Sequence, residues 1–482
     1  MRARRAKWSV VVGAALGTLV VVGVPLGCTS AGPREKRRRT PPVAPKATNK
    51  VTTKATTKPP VTADREESRA PRVADAPAAA PVATAPRVAP CAHPARLKLG
   101  IAEWHKRYDA LDKRTYDGMG YVNKGGAYSM WMGWNENRIL SSYLVMYDVT
   151  RETRYLDKVV RHVDVLLRRV QDANGDGLSL WLEKEGQEAR CDYETSQIGA
   201  PIARFARVVH ETPGLHAAYL AKAKEYARFV DENVVASFET FYGQKWGEFT
   251  DGRGILYSEH TDKKTGERVK MSRHNNQFAS KAEIYLDLGV MLDNETYRDR
   301  ATKMAKFLKG GMQLVDAGEG REAYHWHYHT KGGEWDTWAP NKWCHEGPED
   351  IGHANTEIGF MVQAHKELGV FDETDIRRFV GTALFLQWNG DEDEPLLHQY
   401  MERGKTYNST GLLWDYVALA QFDGRLLRIF ETIVDRVYQK PDHYLHLGLR
   451  GDAHKAEPAG IMLAVARLIE AGTVNEKALA ER

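Results

Sequence analysis

Six times after residue 130 the chain opens a helical run with a polar cluster, often beside an aromatic ring: Trp134-Asn135-Glu136, Tyr193-Glu194-Thr195, His274-Asn275-Asn276, His353-Ala354-Asn355, Asn408-Ser409-Thr410 and Glu457. After most of these come about 15 residues rich in small and apolar side chains, a turn, and a second, more charged helical run. The second runs resemble one another (Thr153-Arg154-Tyr155-Leu156, Ala218-Tyr219-Leu220, Thr296-Tyr297-Arg298), and Tyr297, Ala301, Met304, Ala305 and Leu308 recur at helical spacing opposite Lys and Arg. They read as outer helices with one wet face. The first runs, such as residues 198–209 and 351–368, carry apolar or small residues on more of their circumference and read as inner helices. A hairpin repeated every 60 to 80 residues needs neighbours to bury its apolar face. With a leading helix at about 94–111, the chain supplies six inner and six outer helices, and only 254–259 and 323–329 read as strands. The expected fold is mostly α, an (α/α)6 toroid with a few short strands.

The first 28 residues read as an export signal: basic Arg2, Arg4, Arg5 and Lys7, then an apolar run over 10–26. Gly27 before Cys28 predicts a lipoprotein cleavage site with Cys28 acylated, so that a lipid anchor ties the chain to a membrane; an uncleaved anchor or a secreted form is the alternative. Residues 29–90 hold Pro, Ala, Thr, Val and Lys with almost no large apolar side chains, which predicts a disordered tether. Up to residue 90 there are 17 basic and 5 acidic residues; the remaining 91–482, expected as one catalytic toroid, hold 51 basic and 59 acidic, a net of −8. That balance excludes a nucleic-acid binder of the usual basic kind. Cys91, Cys191 and Cys344 are an odd set for an exported domain, and a Cys191–Cys344 disulfide is one pairing among those open.

In a toroid of hairpins all inner helices run the same way, so the polar clusters gather at one rim. Helix N-termini there favour anions by about 0.3–1 kcal/mol each. Two clusters carry chemistry. In the run 271–278, Arg273, His274, Asn275 and Asn276 open an inner helix with donors suited to a uronate carboxylate. In the run 345–355, Pro348 starts a helix, Glu349 and Asp350 fill its first turn, and His353 lies one turn beyond Glu349 on the same face, where a carboxylate raises imidazole basicity. Tyr324 to His329 alternates His with aromatics, so as a strand it makes a cleft wall, with Trp326 and His327 beside Trp134 and Tyr193 as substrate contacts; a buried aromatic cluster supporting the loop fits Trp326 equally, and a zinc site on the three His is the weaker reading. Asp172, Asn174, Asp176 and Glu183 fit ligand positions of a calcium loop, giving a structural Ca2+ remote from the chemistry, with a polar inter-helix turn as the alternative. Phosphate loops and nucleophile elbows do not stand out, so no cofactor is expected to be required for the chemistry.

The hairpin series, the Asn275-Asn276 helix start and the Glu349-Asp350-x-x-His353 helix start resemble the toroid polysaccharide lyases that cleave alginate or glucuronan. Those lyases place a His just after the paired Asn, where this chain has Gln277 after and His274 before. The resemblance implies β-elimination on an anionic, uronate-containing polysaccharide: carboxylate neutralisation by Asn275 with Arg273 or Asn276, proton abstraction by His353 tuned by Glu349, and completion by Tyr257 or Tyr328. A glycoside hydrolase of the same fold is the alternative, using two carboxylates among Glu349, Asp350, Asp192, Glu194 and Glu457. Uronate epimerisation shares the proton-abstraction step, and a non-catalytic glycan-binding or cell-envelope module is the third reading.

Overall fold

The computed structural model describes residues 90–115, 119, 132–182, 192–262, 265–337, 347–402, 404, 413–439 and 458–482, all within the compact unit Pro81–Arg482. Cys28, the tether, Glu183, Cys191, Cys344, Asn408-Ser409-Thr410 and Glu457 lie outside the described residues. No helix among the described residues is long and apolar enough to cross a membrane.

The helices are α1 (Ile101–Thr115), α2 (Asn137–Thr150), α3 (Arg154–Leu167), α4 (Asp192–Glu211), α5 (His216–Phe229), α6 (Asn275–Met291), α7 (Glu295–Gly310), α8 (Ile351–Leu368), α9 (Glu373–Gly381), α10 (Gly424–Gln439) and α11 (Pro458–Ala480). A 3-10 helix, Asp415–Gln421, precedes α10. Contacts run α2 to α4, α4 to α6, α6 to α8, α8 to the 3-10 helix, that helix to α11, and α11 back to α2, which closes a ring of six inner elements. Outside it α3, α5, α7, α9 and α10 each pack on the inner element that precedes them, and α1 packs on α11. The fold is therefore a mostly helical (α/α)6 toroid, closed by joining the two ends of the domain.

Burial follows from the side-chain pattern. On α3 the buried residues Tyr155, Leu156, Val159, Val163 and Leu166 form one stripe. On α6 all but two of the residues from Asn275 to Met291 are buried. Each fully buried Leu, Val or Phe contributes about 1.5–3 kcal/mol by transfer from water, so the stripe is what holds an outer helix down. The leading helix begins later than its sequence pattern predicts, because Leu97 to Leu99 form a separate anchor. Glu431 of α10 accepts Lys98 N (2.6 Å), Leu99 N (2.9 Å) and the indole Nε1 of Trp104 (3.1 Å) while itself buried. Glu431→Ala leaves the Trp104 indole N–H unpaired in the core and is expected to cost about 2–3 kcal/mol. Denaturant unfolding measures it; a loss below about 0.5 kcal/mol would contradict the anchor role.

Five short strands decorate this frame. β1 (Gln244–Glu248), β2 (Gly254–Thr261) and β3 (Arg268–Ser272) form an antiparallel sheet in that order, and β4 (Gln313–Asp316) pairs with β5 (Glu322–His325). β3 delivers the chain to the start of α6. β5 ends at His325, earlier than the alternation to His329 predicts, and the segment that follows turns onto the rim, where Tyr328 O accepts Asn275 N (3.1 Å).

Candidate functional site

The rim forms where four inner helices begin. A π-helical turn, Met132–Glu136, leads into α2. Gly133 there lies so close to α4 that a Cβ would sit 2.8 Å from Glu194 Cα. That approach sets Trp134 edge-on against Tyr193, at 5.4 Å and 70°. From α6, Asn276 Nδ2 donates to the Tyr193 hydroxyl at 3.2 Å. Trp134 also meets His353, at 6.2 Å and 66°. On the other side of His353 stands Tyr328, with ring centres 4.7 Å apart, and Tyr328 stacks on His274 at 4.3 Å and 18°. Trp134, Tyr193, His274, Asn276, Tyr328 and His353, scattered over 220 positions, therefore form one surface.

His353 is held by Asp350. α8 starts at Ile351, so Asp350 is its N-cap: one carboxylate oxygen accepts His353 N (3.2 Å) and the other bonds His353 Nδ1 (2.7 Å). The carboxylate fixes the proton on Nδ1 and leaves Nε2 as the basic nitrogen. Burial disfavours the imidazolium, but Asp350 and, more weakly, Glu357 outweigh it, and the His353 pKa ends above the ordinary value. Burial likewise raises Asp350, and the His353 cation overrides it, leaving that carboxyl below the usual range.

Glu349 is not the partner expected from sequence. Its carboxyl is 3.9 Å from His353 Nδ1, fully buried, and turned to Glu357 one helical face away. The cause is the helix start: with Asp350 as cap, Glu349 lies outside the helix and points into the core. Burial first, then Glu357, pushes Glu349 well above the carboxylate range, while burial raises Glu357 to about 7. Both carboxyls are thus held above the ordinary carboxylate range next to His353. Ligand atoms of Glu349, Asp350 and His353 lie within 4.8 Å of one another, the one cluster of metal-ligand type among the described residues. Within it Asp350 is bonded to His353.

Several other sequence assignments change. Asn275 does not face a substrate: Nδ2 donates to His327 O (2.8 Å) and Oδ1 accepts Thr330 N (3.1 Å), so it clamps the loop that carries Tyr328. Arg273 is spent on Asp192 (Nε to Oδ2, 3.3 Å). Trp326 is fully buried, donates to Glu357 (2.6 Å) and meets Phe379, so it is core and no sugar platform. His327 Nδ1 bonds Gly347 O (3.1 Å) and its ring lies against His325, whereas His329 pairs with Asp336 (2.6 Å) and Ser272 (3.0 Å). The three His are thus split, which removes the zinc reading. Tyr257 sits on β2 against Trp335 (5.0 Å), leaving Tyr328 as the tyrosine at His353. In the loop at 172–177, Asp172 accepts Asp176 N and Gly177 N (both 3.1 Å), a self-bonded turn to which the twelfth calcium-loop position, Glu183, cannot be related.

Residues that the sequence reading passed over complete the rim. Arg138 lies over Trp414 at 3.7 Å and Trp134 at 5.5 Å, placing a guanidinium beside the ring that touches His353. Below them the inner elements enclose an axial cavity of about 180 Å³ with Trp134, Arg138 and Trp414 on its lining. Deeper on its wall is Glu283, which burial, Asp415 and Asp287 hold well above the carboxylate range.

No family model and no characterised protein sequence matches this chain. Among solved structures it is similar to a GH76 α-mannanase of Bacteroides thetaiotaomicron, over 80% of this chain and 98% of that one, at 11% identity and TM-score 0.43. It is also similar to an α-1,6-mannanase of Salegentibacter sp. HEL1_6 (76% and 98% covered, 16% identity, TM-score 0.41) and to a D-mannose isomerase (78% and 97%, 12%, 0.39). At these identities and TM-scores the likeness says nothing of substrate or reaction. None of these three is a polysaccharide lyase, so the resemblance drawn from two short motifs gains no support from them.

Proposed function

We propose that the chain is a carbohydrate-active enzyme working at the rim, and that its chemistry is β-elimination on a uronate-containing glycan. The observation that carries this reading is the His353–Asp350 pair at 2.7 Å with Tyr328 against the imidazole. A carboxylate-backed imidazole suits abstraction of the C5 proton, and an adjacent phenol suits protonation of the leaving O4. Trp134 supplies an aromatic face for a sugar ring, with the buried Tyr193 packed behind it. Since Asn275 and Arg273 are engaged elsewhere, carboxylate neutralisation falls to Arg138 and the N-termini of α4, α6 and α8. A binding module would have no need of an oriented acid/base pair.

Hydrolysis is the second reading, and the axial cavity favours it: it is lined by two carboxyls, Glu283, which burial and Asp415 push well above the ordinary range, and Asp415, ion-paired with Arg467, and glycosidases use such a pair of unlike carboxyls. The carboxylates expected for that role from sequence are otherwise engaged: Glu349 with Glu357, Asp350 with His353, Asp192 with Arg273 and Lys281. Glu194 is buried. Absorbance near 235 nm on incubation with uronate glycans tests elimination. New reducing ends without that absorbance would replace elimination with hydrolysis, and absence of both would leave the binding module.

A further inference from the structure

The centre of the toroid is built of groups that an apolar plug would replace at lower cost, since each buried polar group without a partner is unfavourable. Asn137, Gln197, Ser280, Thr356, Gln363 and Glu283 line it from four of the inner helices. The floor is sealed by ion pairs: Arg204 with Asp287 (3.4 Å) and Glu367 (3.2 Å), and Arg467 with Asp415 and Glu470 (2.8 Å each). Lys366 lies 3.7 Å from Glu470, so each of these cations has a carboxylate partner. Across the neck a belt of amides runs from Asn137 Nδ2 to Gln197 Oε1 (2.5 Å) and from Gln197 Nε2 to the Thr356 hydroxyl (3.2 Å). Asn137 Oδ1 is buried with no hydrogen-bond partner, and the Glu283 carboxyl makes only through-space interactions.

We infer that this axial cavity binds one neutral, hydroxyl-rich unit, a sugar ring entering between Trp134 and Trp414, with the Glu283 carboxyl as a hydrogen-bonding group on its wall. The volume of about 180 Å³ is far more than the roughly 10–15 Å³ a single water needs. Hydroxyls give and accept hydrogen bonds alike, so they match the amides and hydroxyls of the lining as well as the carboxyls and cations among them. The lining carries six carboxyls, among them Glu283, Asp287 and Asp415, against four cations, Arg138, Arg204, Lys366 and Arg467, so its charge balance disfavours a uronate there. Glu283 lies seven residues beyond Asn276 on α6, about 10 Å below the rim by helical rise. A glycan with its terminal ring in the cavity therefore presents the next linkage near His353. Resting on the rim chemistry proposed above, this makes the substrate a mixed glycan, neutral at its end and uronate beside it, attacked from the end.

Calorimetric titration of the full chain carrying His353→Ala with D-glucose, D-mannose and D-glucuronate tests the pocket without turnover. Saturable binding of a neutral hexose is expected, with glucuronate weaker by at least about tenfold. Glu283→Gln keeps a neutral donor and should hold affinity within about threefold, whereas Glu283→Leu should lose at least about tenfold. Ser141→Phe, filling the cavity from α2, should give the same loss with the carboxyl intact. Raising the pH should weaken hexose binding as Glu283 ionises among Asp415, Asp287, Arg467 and Arg204, and should leave Glu283→Gln unaffected. No saturable binding, glucuronate binding as tightly as hexose, or indifference to both Glu283→Leu and Ser141→Phe would overturn the inference. The absorbance assay on the unmutated chain decides the rim chemistry separately.

Discussion

Replacing His353 with alanine should lower turnover on a uronate glycan by about 10²- to 10⁴-fold, the usual contribution of a positioned general base, while leaving the fold intact. The side chain is 24% exposed and the Asp350 cap keeps its bond to the backbone N–H of residue 353, so little stability depends on the ring. A variant retaining more than about a tenth of the activity would remove His353 from the mechanism. The pH dependence adds a second signature. The base works neutral, and Asp350 lifts its pKa above the ordinary value against the pull of burial, so activity should rise with pH through a limb above that value. Asp350→Asn leaves burial unopposed apart from Glu357. The limb should then move to lower pH while the limiting rate falls, because the weakened base accepts a proton less readily. For stability the sign is reversed: the imidazolium's bond to Asp350 stabilises the fold below the unfolded His pKa and is lost as pH rises through the folded one.

The helical frame was readable because its signal is local and repeated. The run ending at Leu368 is the extent of α8 in the structure, and the stripes on α3, α5 and α7 lie where helical spacing places them. Convergence of the four rim clusters within the described residues also followed from sequence, since inner helices of such a ring must start on one side. Partners did not follow. A three-residue question, whether α8 starts at Pro348 or Ile351, decides whether His353 is served by Glu349 or Asp350, and capping alternatives are too close in energy for a sequence to separate them. Asn275 and Arg273 are claimed by His327 and Asp192, far along the chain. The alternation from Tyr324 to His329 mimics a strand, yet Trp326 is pulled into the core by the Glu357 carboxyl. Glu283 and Glu357 carried a usable signal: a carboxyl inside a helix otherwise buried on every side needs a partner or a cavity.

Loss of the Asp192 carboxylate should be the most damaging single change to the fold. It accepts Lys281 Nζ (2.8 Å) and Gln244 Nε2 (2.7 Å) and pairs with Arg273 (3.3 Å), with Lys281 fully buried. Burial alone would raise its pKa, but Arg273 and Lys281 outweigh that and hold the carboxyl well below the ordinary range. Asp192→Ala leaves two cations facing each other without their shared anion, which costs about 3–5 kcal/mol when one partner of a buried pair is removed. Because the folded pKa is depressed, this contribution is present at every pH above the unfolded value of about 3.9 and is lost only as pH falls through the folded one. Wild type and variant should therefore differ by a constant amount from about pH 5 to 8 in denaturant unfolding. Adding Lys281→Met should recover a large part of the loss, since the double variant buries no lone ammonium; a single-variant loss under about 1 kcal/mol would show that solvent reaches Lys281. The same pair of helices carries Tyr193 and Asn276, joined hydroxyl to amide at 3.2 Å, so the destabilised chain should lose rim geometry along with stability. Activity restored by the double variant in step with its stability would place Asp192 as a support of the rim, with no contact to the substrate.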